Sequence, residues 1–204
     1  MKITWYGHSC FLVETEEGSA VFDPYAPGSV PGLKLPPLTA DAVICSHGHS
    51  DHAWREGVKE SGRAPGFTLR QFDTWHDGLR GVLRGKNTVT ILEAEGLRAA
   101  HLGDLGHMLS AEQLEQLGAV DVLMLPVGGH FTIAPETAWE LAVAVRPRIL
   151  IPMHYRGKGF GYPVIATLDR FLELAENVRR LESNVLDTDE LETPVTAVLR
   201  CPAE

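Results

Sequence analysis

The sequence has little that would tie the chain to a membrane or to nucleic acid. No apolar run approaches the roughly 18 residues that a membrane-spanning helix needs, and residues 1–5 lack the basic and apolar regions of a secretory signal. Basic residues number 18 against 27 acidic ones, and the net charge of -9 argues against a broad basic surface. We therefore expect a soluble cytoplasmic protein with no nucleic acid or membrane partner.

Cysteine is also scarce. The three cysteines, Cys10, Cys45 and Cys201, are an odd number at wide spacing. Cys10 and Cys45 lie within apolar runs, where a free thiol packs as a small hydrophobe, so the pattern favours a reducing compartment over a disulfide framework. Internal repeats and low-complexity segments are absent. We expect one domain over residues 1–204, long enough to bury roughly 70% of the surface that the unfolded chain exposes.

Hydrophobic patterning predicts a mixed α/β fold. A hairpin is predicted over residues 2–25, followed by strands at 39–45, 67–72, 88–93, 97–100, 121–125, 148–151 and 195–199. Helices are predicted at 53–60, 110–117, 136–145 and 164–181, the second with a capping box at Ser110 and the third with Pro135 at its first position. This order predicts two sheets covered by helices, a four-layer αββα sandwich.

Residues 47–52, with the sequence His-Gly-His-Ser-Asp-His, follow the predicted strand that ends at 45. Side chains alternate along extended backbone, so His47 and His49 project to the same side and can share one metal ion. Asp51 and His52 lie where the chain leaves the strand, and this pair can face a neighbouring ion. The hexapeptide therefore predicts the beginning of two metal positions; the alternative interpretation is a polar surface loop rich in histidine.

Other predicted strands also end in loops that carry His or Asp. These residues are His76, His101, Asp104, His107, His130 and His154. Functional loops along one edge of a layered scaffold are the expected arrangement, because the strands hold them rigidly. In the hairpin, Asp23 is either a turn residue before Pro24 or a carboxylate that orients a ligating imidazole. His8 is either a hydrogen-bonded loop residue or a residue that lines the site.

These motifs together resemble the metallo-β-lactamase superfamily. The matching segments are Gly7-His8-Ser9, Phe22-Asp23-Pro24, residues 47–52, Trp75-His76-Asp77, residues 101–107, residues 126–129 and Pro152-Met153-His154-Tyr155. Within the superfamily, the chain looks similar to a branch of metal-dependent hydrolases that includes ascorbate-6-phosphate lactonase-like proteins and, more distantly, N-acylphosphatidylethanolamine phospholipase D. The resemblance spans most of the chain and implies the same αββα fold.

The resemblance also implies a ligand set. One ion would be held by His47, His49 and His76, the other by Asp51, His52 and His154, with Asp104 as the bridge between them. His101 is the alternative to His76, which is preferred because related proteins place this ligand in a separate loop before the Gly-Asp step. The residues left to line or support the pocket are His8, Asp23, His101, His107 and His130. Imidazole and carboxylate donors suit Zn²⁺, the first expectation, or Mn²⁺ or Fe²⁺.

The expected activity is hydrolysis by a dinuclear centre. Two ions about 3.5–4 Å apart hold a water molecule, lower its pKa towards roughly 7 and polarise the substrate oxygen. Asp51 or Asp104 would keep that water in line for attack on an ester, lactone, amide or phosphoester bond of a small molecule. Arg156 and Lys158 either hold an anionic group of the substrate or are solvated loop charges.

Two other functions stay open at this level. One is a metal-binding or sensing protein that keeps the fold without turnover, which the complete ligand set disfavours. The other is a nucleic-acid phosphodiesterase, which the acidic composition disfavours. The sequence leaves the oligomeric state open, a homo-oligomer included.

Overall fold

The computed structural model describes residues 1–203, which form two large sheets, one small sheet and few helices. The strands are β1 (Lys2–Trp5), β2 (Phe11–Thr15), β3 (Gly18–Phe22), β4 (Leu38–Ala40), β5 (Ala42–Ile44), β6 (Val58–Glu60), β7 (Thr68–Trp75), β8 (Lys86–Ala94), β9 (Leu97–His101), β10 (Val122–Pro126), β11 (Ile149–Met153), β12 (Val178–Arg180), β13 (Val185–Asp187) and β14 (Val195–Val198). The helices are α1 (Ala111–Leu117), α2 (Pro135–Val145) and α3 (Leu168–Leu172), with 3₁₀ turns at Arg55–Gly57 and Thr188–Glu190.

The N-terminal hairpin forms the centre of the first sheet. Its strand order is β13-β1-β2-β3-β5, in which all pairs are antiparallel except β3 with β5. The parallel pair sets Phe22 opposite Ile44. Because both strands run in the same direction, Asp23 and the segment that begins at Ser46 leave the sheet at the same edge.

The second sheet has seven strands in the order β12-β14-β11-β10-β9-β8-β7. The strands from β9 to β12 in this order pair in parallel, and β7, β8 and β9 form an antiparallel meander. Every residue of β10 and β11 is buried, as expected for apolar parallel strands that are covered on both faces. The carboxyl ends of β7, β9 and β11 all lead into loops that carry His or Asp.

The two sheets pack against each other. The ring of His101, at the end of β9, stacks on Phe22 of the first sheet with 5.2 Å between centroids, and Phe11 meets the same ring at 5.9 Å. Trp5 packs on Tyr155, which follows β11, at 5.4 Å. The mixed α/β class predicted from the sequence is confirmed. The described residues form three α-helices where four were predicted. No helix within residues 1–203 combines the length and apolar character needed to cross a membrane.

Two predicted helices are wrong. Residues 53–60 form only the 3₁₀ turn and β6, which pairs in parallel with β4 in a two-stranded sheet. An eight-residue helix is marginal, and Gly57 lowers its stability further, so pairing of the β-branched Val58 with Leu38 prevails. The tight turn also requires glycine, since a Cβ at position 57 would overlap the Trp54 ring.

The helix predicted over 164–181 is reduced to α3. Beyond α3 the backbone adopts a positive φ of 51° at Asn177, and residues 178–180 then pair with β14 as an edge strand. The apolar residues that predicted one continuous helix therefore belong to two elements, α3 and β12. In the second of these, pairing with β14 overrides the helical periodicity. By contrast, α1 begins with the predicted capping box between Ser110 and Gln113, and α2 has Pro135 at its start.

Candidate metal centre

Loops from both sheets bring the predicted site residues together. His8 lies between β1 and β2, Asp23 follows β3, residues 47–52 follow β5, His76 follows β7, Asp104 follows β9 and His154 follows β11. The loop at 47–52 is tied to the loop after β3, because Ala26 N–H donates to Ser50 O at 2.8 Å and Trp54 N–H donates to Pro24 O at 2.8 Å. These loops therefore lie together along one edge of the sandwich, as the sequence predicts.

Asp104 lies at the centre of this cluster. Its Oδ2 is 3.3 Å from His52 Nε2, 3.2 Å from His76 Nε2 and 3.1 Å from His154 Nε2. The backbone of Asp104 is fixed by its N–H, which donates to Asn87 Oδ1 at 2.8 Å. Gly103 has a φ of 54°, and a Cβ there would overlap Asn87 and Ser46. The glycine before Asp104 is thus required for the close approach that the sequence indicated.

The imidazoles form two groups around Asp104. One group consists of His47, His49 and His76, and the other of His8, His52 and His154; in each, the candidate ligand atoms lie within 4.8 Å of one another. In the first group His47 Nε2 is 2.9 Å from His49 Nδ1. The second group is completely buried, whereas His49 of the first is exposed. Each group has the size and donor chemistry of a site for one divalent ion.

Asp23 orients imidazoles from below the cluster. Its Oδ2 accepts a hydrogen bond from His52 Nδ1 at 2.7 Å, and its two oxygens accept from Ser46 N at 2.7 Å and Ser46 Oγ at 2.6 Å. Ser46 Oγ in turn lies 2.9 Å from His47 Nδ1. Both His52 and His47 therefore use Nδ1 for support and turn Nε2 into the cluster, which is how outer carboxylates fix metal-binding histidines. The geometry favours the orienting interpretation of Asp23 over the simple turn residue.

His76 is oriented by a different partner. Its Nδ1 donates to the carbonyl oxygen of Phe131 at 3.1 Å, and its Nε2 faces Asp104. His101, the alternative third imidazole, has both ring nitrogens engaged away from the cluster: Nε2 donates to Ser9 O at 2.9 Å, and Nδ1 accepts from Gly103 N at 3.2 Å. The structure thus brings His76, and not His101, into the group with His47 and His49.

Charge is strongly coupled inside the cluster. Burial opposes a charge on Asp104, but the rings of His154 and His52 outweigh it and hold the pKa of Asp104 well below its usual value. For His52, burial is likewise outweighed by Asp104 and Asp23, which raise its pKa well above the usual value. Burial lowers the pKa of His47 to about 3 and that of His8 to about 4. These two rings are therefore neutral at physiological pH, the form in which imidazole binds a metal.

The buried polar atoms fit a bound cation. Within residues 1–203, Asp104 Oδ1, His154 Nδ1 and His8 Nδ1 are buried without a hydrogen-bond partner. Unpaired polar atoms of this kind are rare in folded proteins and call for an explanation such as an ion. No thiolate competes, since burial raises the pKa of Cys45 to about 11. The residues therefore suit one or more divalent ions.

Two predicted pocket histidines lie outside the cluster. His107 accepts a hydrogen bond on Nε2 from Trp75 N at 3.2 Å, so it supports the strand that precedes His76. His130 is exposed, with a φ of 59°, and its ring packs edge-on against its neighbour Phe131. The expectation that His130 lines the pocket is not met, because the loop turns its side chain outwards.

A cavity of about 310 Å³ opens over the first histidine group. It is lined by His49, Asp51, His76, Arg84, Asp104, Phe131 and Tyr162. The predicted substrate residues Arg156 and Lys158 are not among them: Arg156 Nε donates to Ile165 O at 3.3 Å, and Lys158 is exposed. Their loop follows His154 in sequence, but neither side chain forms part of the cavity wall.

Arg84 is the cation that lines the cavity. Its guanidinium lies 5.5 Å from the centroid of the Phe131 ring, and within residues 1–203 it forms no ion pair. Asp77 fixes the loop that carries Arg84 by accepting four backbone N–H groups, from Leu79, Gly81, Leu83 and Arg84. No local pattern distinguishes Arg84 from other loop cations; only the fold shows that the loop returns to the cavity.

Tyr162 was also missed by the sequence analysis. Its hydroxyl lies 3.0 Å from Asp51 Oδ2 and 2.6 Å from the carbonyl oxygen of Ser29. Burial and the nearby Asp51 raise the pKa of Tyr162, so the phenol keeps its proton as a donor. Asp51 itself is 3.4 Å from His8 Nε2. Since Tyr162 is 111 residues from Asp51 in the chain, no spacing rule could have paired them.

The fold and the cluster define a class of protein: two packed sheets that hold buried imidazoles and carboxylates for divalent metal at one edge. A family model described as a beta-lactamase superfamily domain matches residues 2–154. A UPF0173 metal-dependent hydrolase of Carboxydothermus hydrogenoformans is 32% identical over 203 residues, covering 81% of this chain and 88% of the relative. The chain belongs to the metallo-β-lactamase superfamily and, within it, to these UPF0173 metal-dependent hydrolases.

Solved structures agree with this assignment. A candidate Zn-dependent hydrolase of the metallo-β-lactamase superfamily from Thermotoga maritima has a TM-score of 0.77 at 34% identity, with 97% of each chain covered. A metallo hydrolase from Ignicoccus hospitalis has a TM-score of 0.67 at 23% identity, covering 100% of this chain and 96% of that one, and shows the shared fold alone. The predicted superfamily and hydrolase class are thereby confirmed. The ascorbate-6-phosphate lactonase-like branch stays a prediction, since none of these proteins has that name.

Proposed function

We propose that the chain is a hydrolase with a dinuclear metal centre. His47, His49 and His76 would hold one divalent ion, Asp51, His52 and His154 the other, and Asp104 would bridge them. The observation that carries the proposal is the position of Asp104 Oδ2, within 3.1–3.3 Å of imidazoles from three different loops. The donor set contains only nitrogen and oxygen, which suits Zn²⁺ first and Mn²⁺ or Fe²⁺ as alternatives.

Bound divalent ions would supply a Lewis acid for the substrate oxygen and would acidify a water molecule at neutral pH. The protein contributes orientation and charge. Asp104 and Asp51 both line the cavity, where their carboxylates can hold the attacking water in line with the substrate. Tyr162, hydrogen-bonded to Asp51, keeps that carboxylate in one orientation. Such fixed groups need no rearrangement as the reaction proceeds.

The cavity favours a small substrate with an anionic group. At about 310 Å³ it is at the lower end of the range for small-molecule sites. Arg84 offers an unpaired guanidinium, which can bind a carboxylate or phosphate through two hydrogen bonds. Phe131 adds an apolar face beside it. We therefore propose hydrolysis of an ester, lactone, amide or phosphoester bond in a small anionic molecule, with Arg84 in the role first expected for Arg156 and Lys158.

The proposal can be tested with metal analysis and a substrate panel. Protein purified without chelator should contain close to two transition-metal ions per chain, and a chelator should abolish turnover until metal is restored. The panel consists of lactones, thioesters, small phosphodiesters, β-lactams and polynucleotides, assayed with the wild-type protein, Asp104→Asn and His130→Asn. His130 serves as the matched control because it is an exposed histidine outside the cavity.

We expect one bond class to be cleaved by the wild-type protein and by His130→Asn. Asp104→Asn should lower that activity by more than about 100-fold, the upper end of the loss caused by disturbing even an outer partner of a metal ligand. Metal-loaded protein that cleaves nothing would contradict the proposal and favour the sensing alternative. Cleavage of polynucleotides alone would favour the nucleic-acid phosphodiesterase.

A further inference from the structure

His8 has a left-handed backbone conformation, as do His130 and His154. It lies in the turn between β1 and β2, is 1% exposed, and has a φ of 52°. Non-glycine residues at positive φ are uncommon, and they cluster at functional sites where surrounding contacts compensate the strain. The sequence alone left His8 as either a loop residue or a pocket residue.

Two hydrogen bonds hold this conformation. The carbonyl oxygen of His8 accepts from the Trp5 indole Nε1 at 3.0 Å and from the His154 backbone N–H at 3.1 Å. The turn is thus tied to both large sheets, since Trp5 belongs to β1 and His154 follows β11. The ring of His8 lies 4.1 Å from the ring of His154 and 4.9 Å from that of His52. The backbone is fixed so that the imidazole points into the buried histidine group.

The spacing of the donor atoms matches coordination to a common ion. Bonds of 2.0–2.1 Å to an ion with four or five ligands place neighbouring donors roughly 2.9–3.6 Å apart. His8 Nε2 lies 3.2 Å from His52 Nε2 and 3.4 Å from Asp51 Oδ2. The expected ligands show similar separations, such as 3.3 Å between His52 Nε2 and Asp104 Oδ2. The position of His8 Nε2 relative to His52 and Asp51 is therefore the one expected of a ligand to the same ion.

The cavity separates His8 from substrate. Two histidines of the first group, His49 and His76, line the cavity. None of the second group, His8, His52 and His154, is part of its wall. A ring that is shielded from the opening cannot touch a substrate in the cavity, so contact with substrate does not explain its placement. The ring therefore acts inside the cluster, where its Nε2 faces Asp51 and His52.

We propose that His8 is a direct ligand of the second metal ion. This inference rests on the proposed dinuclear function and extends it: the second ion would have His8, Asp51, His52, His154 and Asp104 as protein donors. The first ion would have only His47, His49, His76 and Asp104. The second ion would then have five protein donors and the first four, and of the histidines only those of the first group, His49 and His76, line the cavity where water and substrate enter.

The test replaces His8 by residues that tolerate its backbone conformation. Asn and Gly both accept a positive φ, so His8→Asn and His8→Gly remove the imidazole with the turn preserved. His130→Asn is the matched control, because His130 also has a positive φ, 59°, yet lies outside the cluster. The measurements are Zn²⁺ content and titration calorimetry of the metal-free proteins, together with the visible absorption of Co²⁺-substituted protein. Circular dichroism checks that each variant is folded.

Loss of a direct ligand should weaken one of the two Zn²⁺ equilibria by more than about 100-fold and leave the other unchanged, since loss of an outer partner alone costs about 10–100-fold. The Co²⁺ absorption of one site should change in both His8 variants and not in His130→Asn. Two ions bound with wild-type affinity and spectrum in His8→Asn and His8→Gly would overturn the role of His8 and leave the dinuclear function standing. Wild-type protein that binds no ion would overturn both.

Discussion

The two histidine groups around Asp104 differ in their access to solvent. His8, His52 and His154 are completely buried, and His52 is held against the buried carboxylate of Asp23. In the other group His47 is half-buried, His49 is exposed and His76 is buried, and His49 and His76 line the cavity. Under the proposed function, this difference assigns two tasks: the buried group would fix the metal centre in the core, and the open group would present it to substrate.

The largest effect should come from removing an imidazole of the buried group. His52→Ala leaves the carboxylate of Asp23 buried without its charged partner, a change that costs about 3–5 kcal/mol for buried pairs. His49→Ala removes an exposed ring and should change the free energy of unfolding by less than about 0.5 kcal/mol. Denaturant titration of the metal-free proteins measures both. Equal losses in the two variants would erase the distinction between the groups.

An intermediate effect is expected at the mouth of the open group. Arg84→Gln should raise KM for an anionic substrate by about 10–100-fold, because a hydrogen bond to a charged group contributes about 1.5–3 kcal/mol. Turnover of a neutral analogue should change little. Arg156→Gln is the control, since its guanidinium bonds to Ile165 O away from the cavity. A larger effect of Arg156→Gln than of Arg84→Gln would restore the assignment made from sequence.

The smallest effect concerns Asp41, which directly precedes β5 at the end of that strand remote from the candidate metal centre. Hydrogen bonds from Ser61, Arg63 and Ser19 hold the pKa of Asp41 below its usual value. Because the folded pKa is lowered, its contribution to stability is present above the unfolded pKa of about 3.9 and is lost as the pH falls below that value. Metal-free Asp41→Asn should therefore show a shallower loss of stability in acid than the wild-type protein. An unchanged acid profile would show that these hydrogen bonds add nothing to acid sensitivity.

Local spacing was enough to identify the candidate metal ligands that follow strands. His47, His49, Asp51 and His52 occur in one hexapeptide, and His76, Asp104 and His154 each occur directly after a recognisable apolar strand or in the turn beyond it. Ligand-like chemistry at a strand end is a local property, so a single sequence reveals it. The resemblance to a known superfamily then supplied their grouping.

The residues that sequence could not place depend on distant parts of the chain. His8 reaches His52 across 44 residues, and Tyr162 reaches Asp51 across 111. Arg156 and Lys158 were favoured because they follow His154, yet proximity in sequence does not fix the direction of a loop. The two incorrect helices have a related cause, since β6 and β12 are formed through pairing with β4 and β14 and not through local propensity.

The backbone tie between the His8 carbonyl and the His154 N–H has a consequence for the order of events during synthesis. His8, the donor nearest the N-terminus, is made first, but its partner His154 is missing until β11 has been added about 140 residues later. A growing chain that ends before β11 therefore contains the donors of residues 47–52 and Asp104 without His154. In the proposed ligand sets, the donors of the first ion are complete once Asp104 has been made, whereas those of the second ion await His154 and the closing of both sheets.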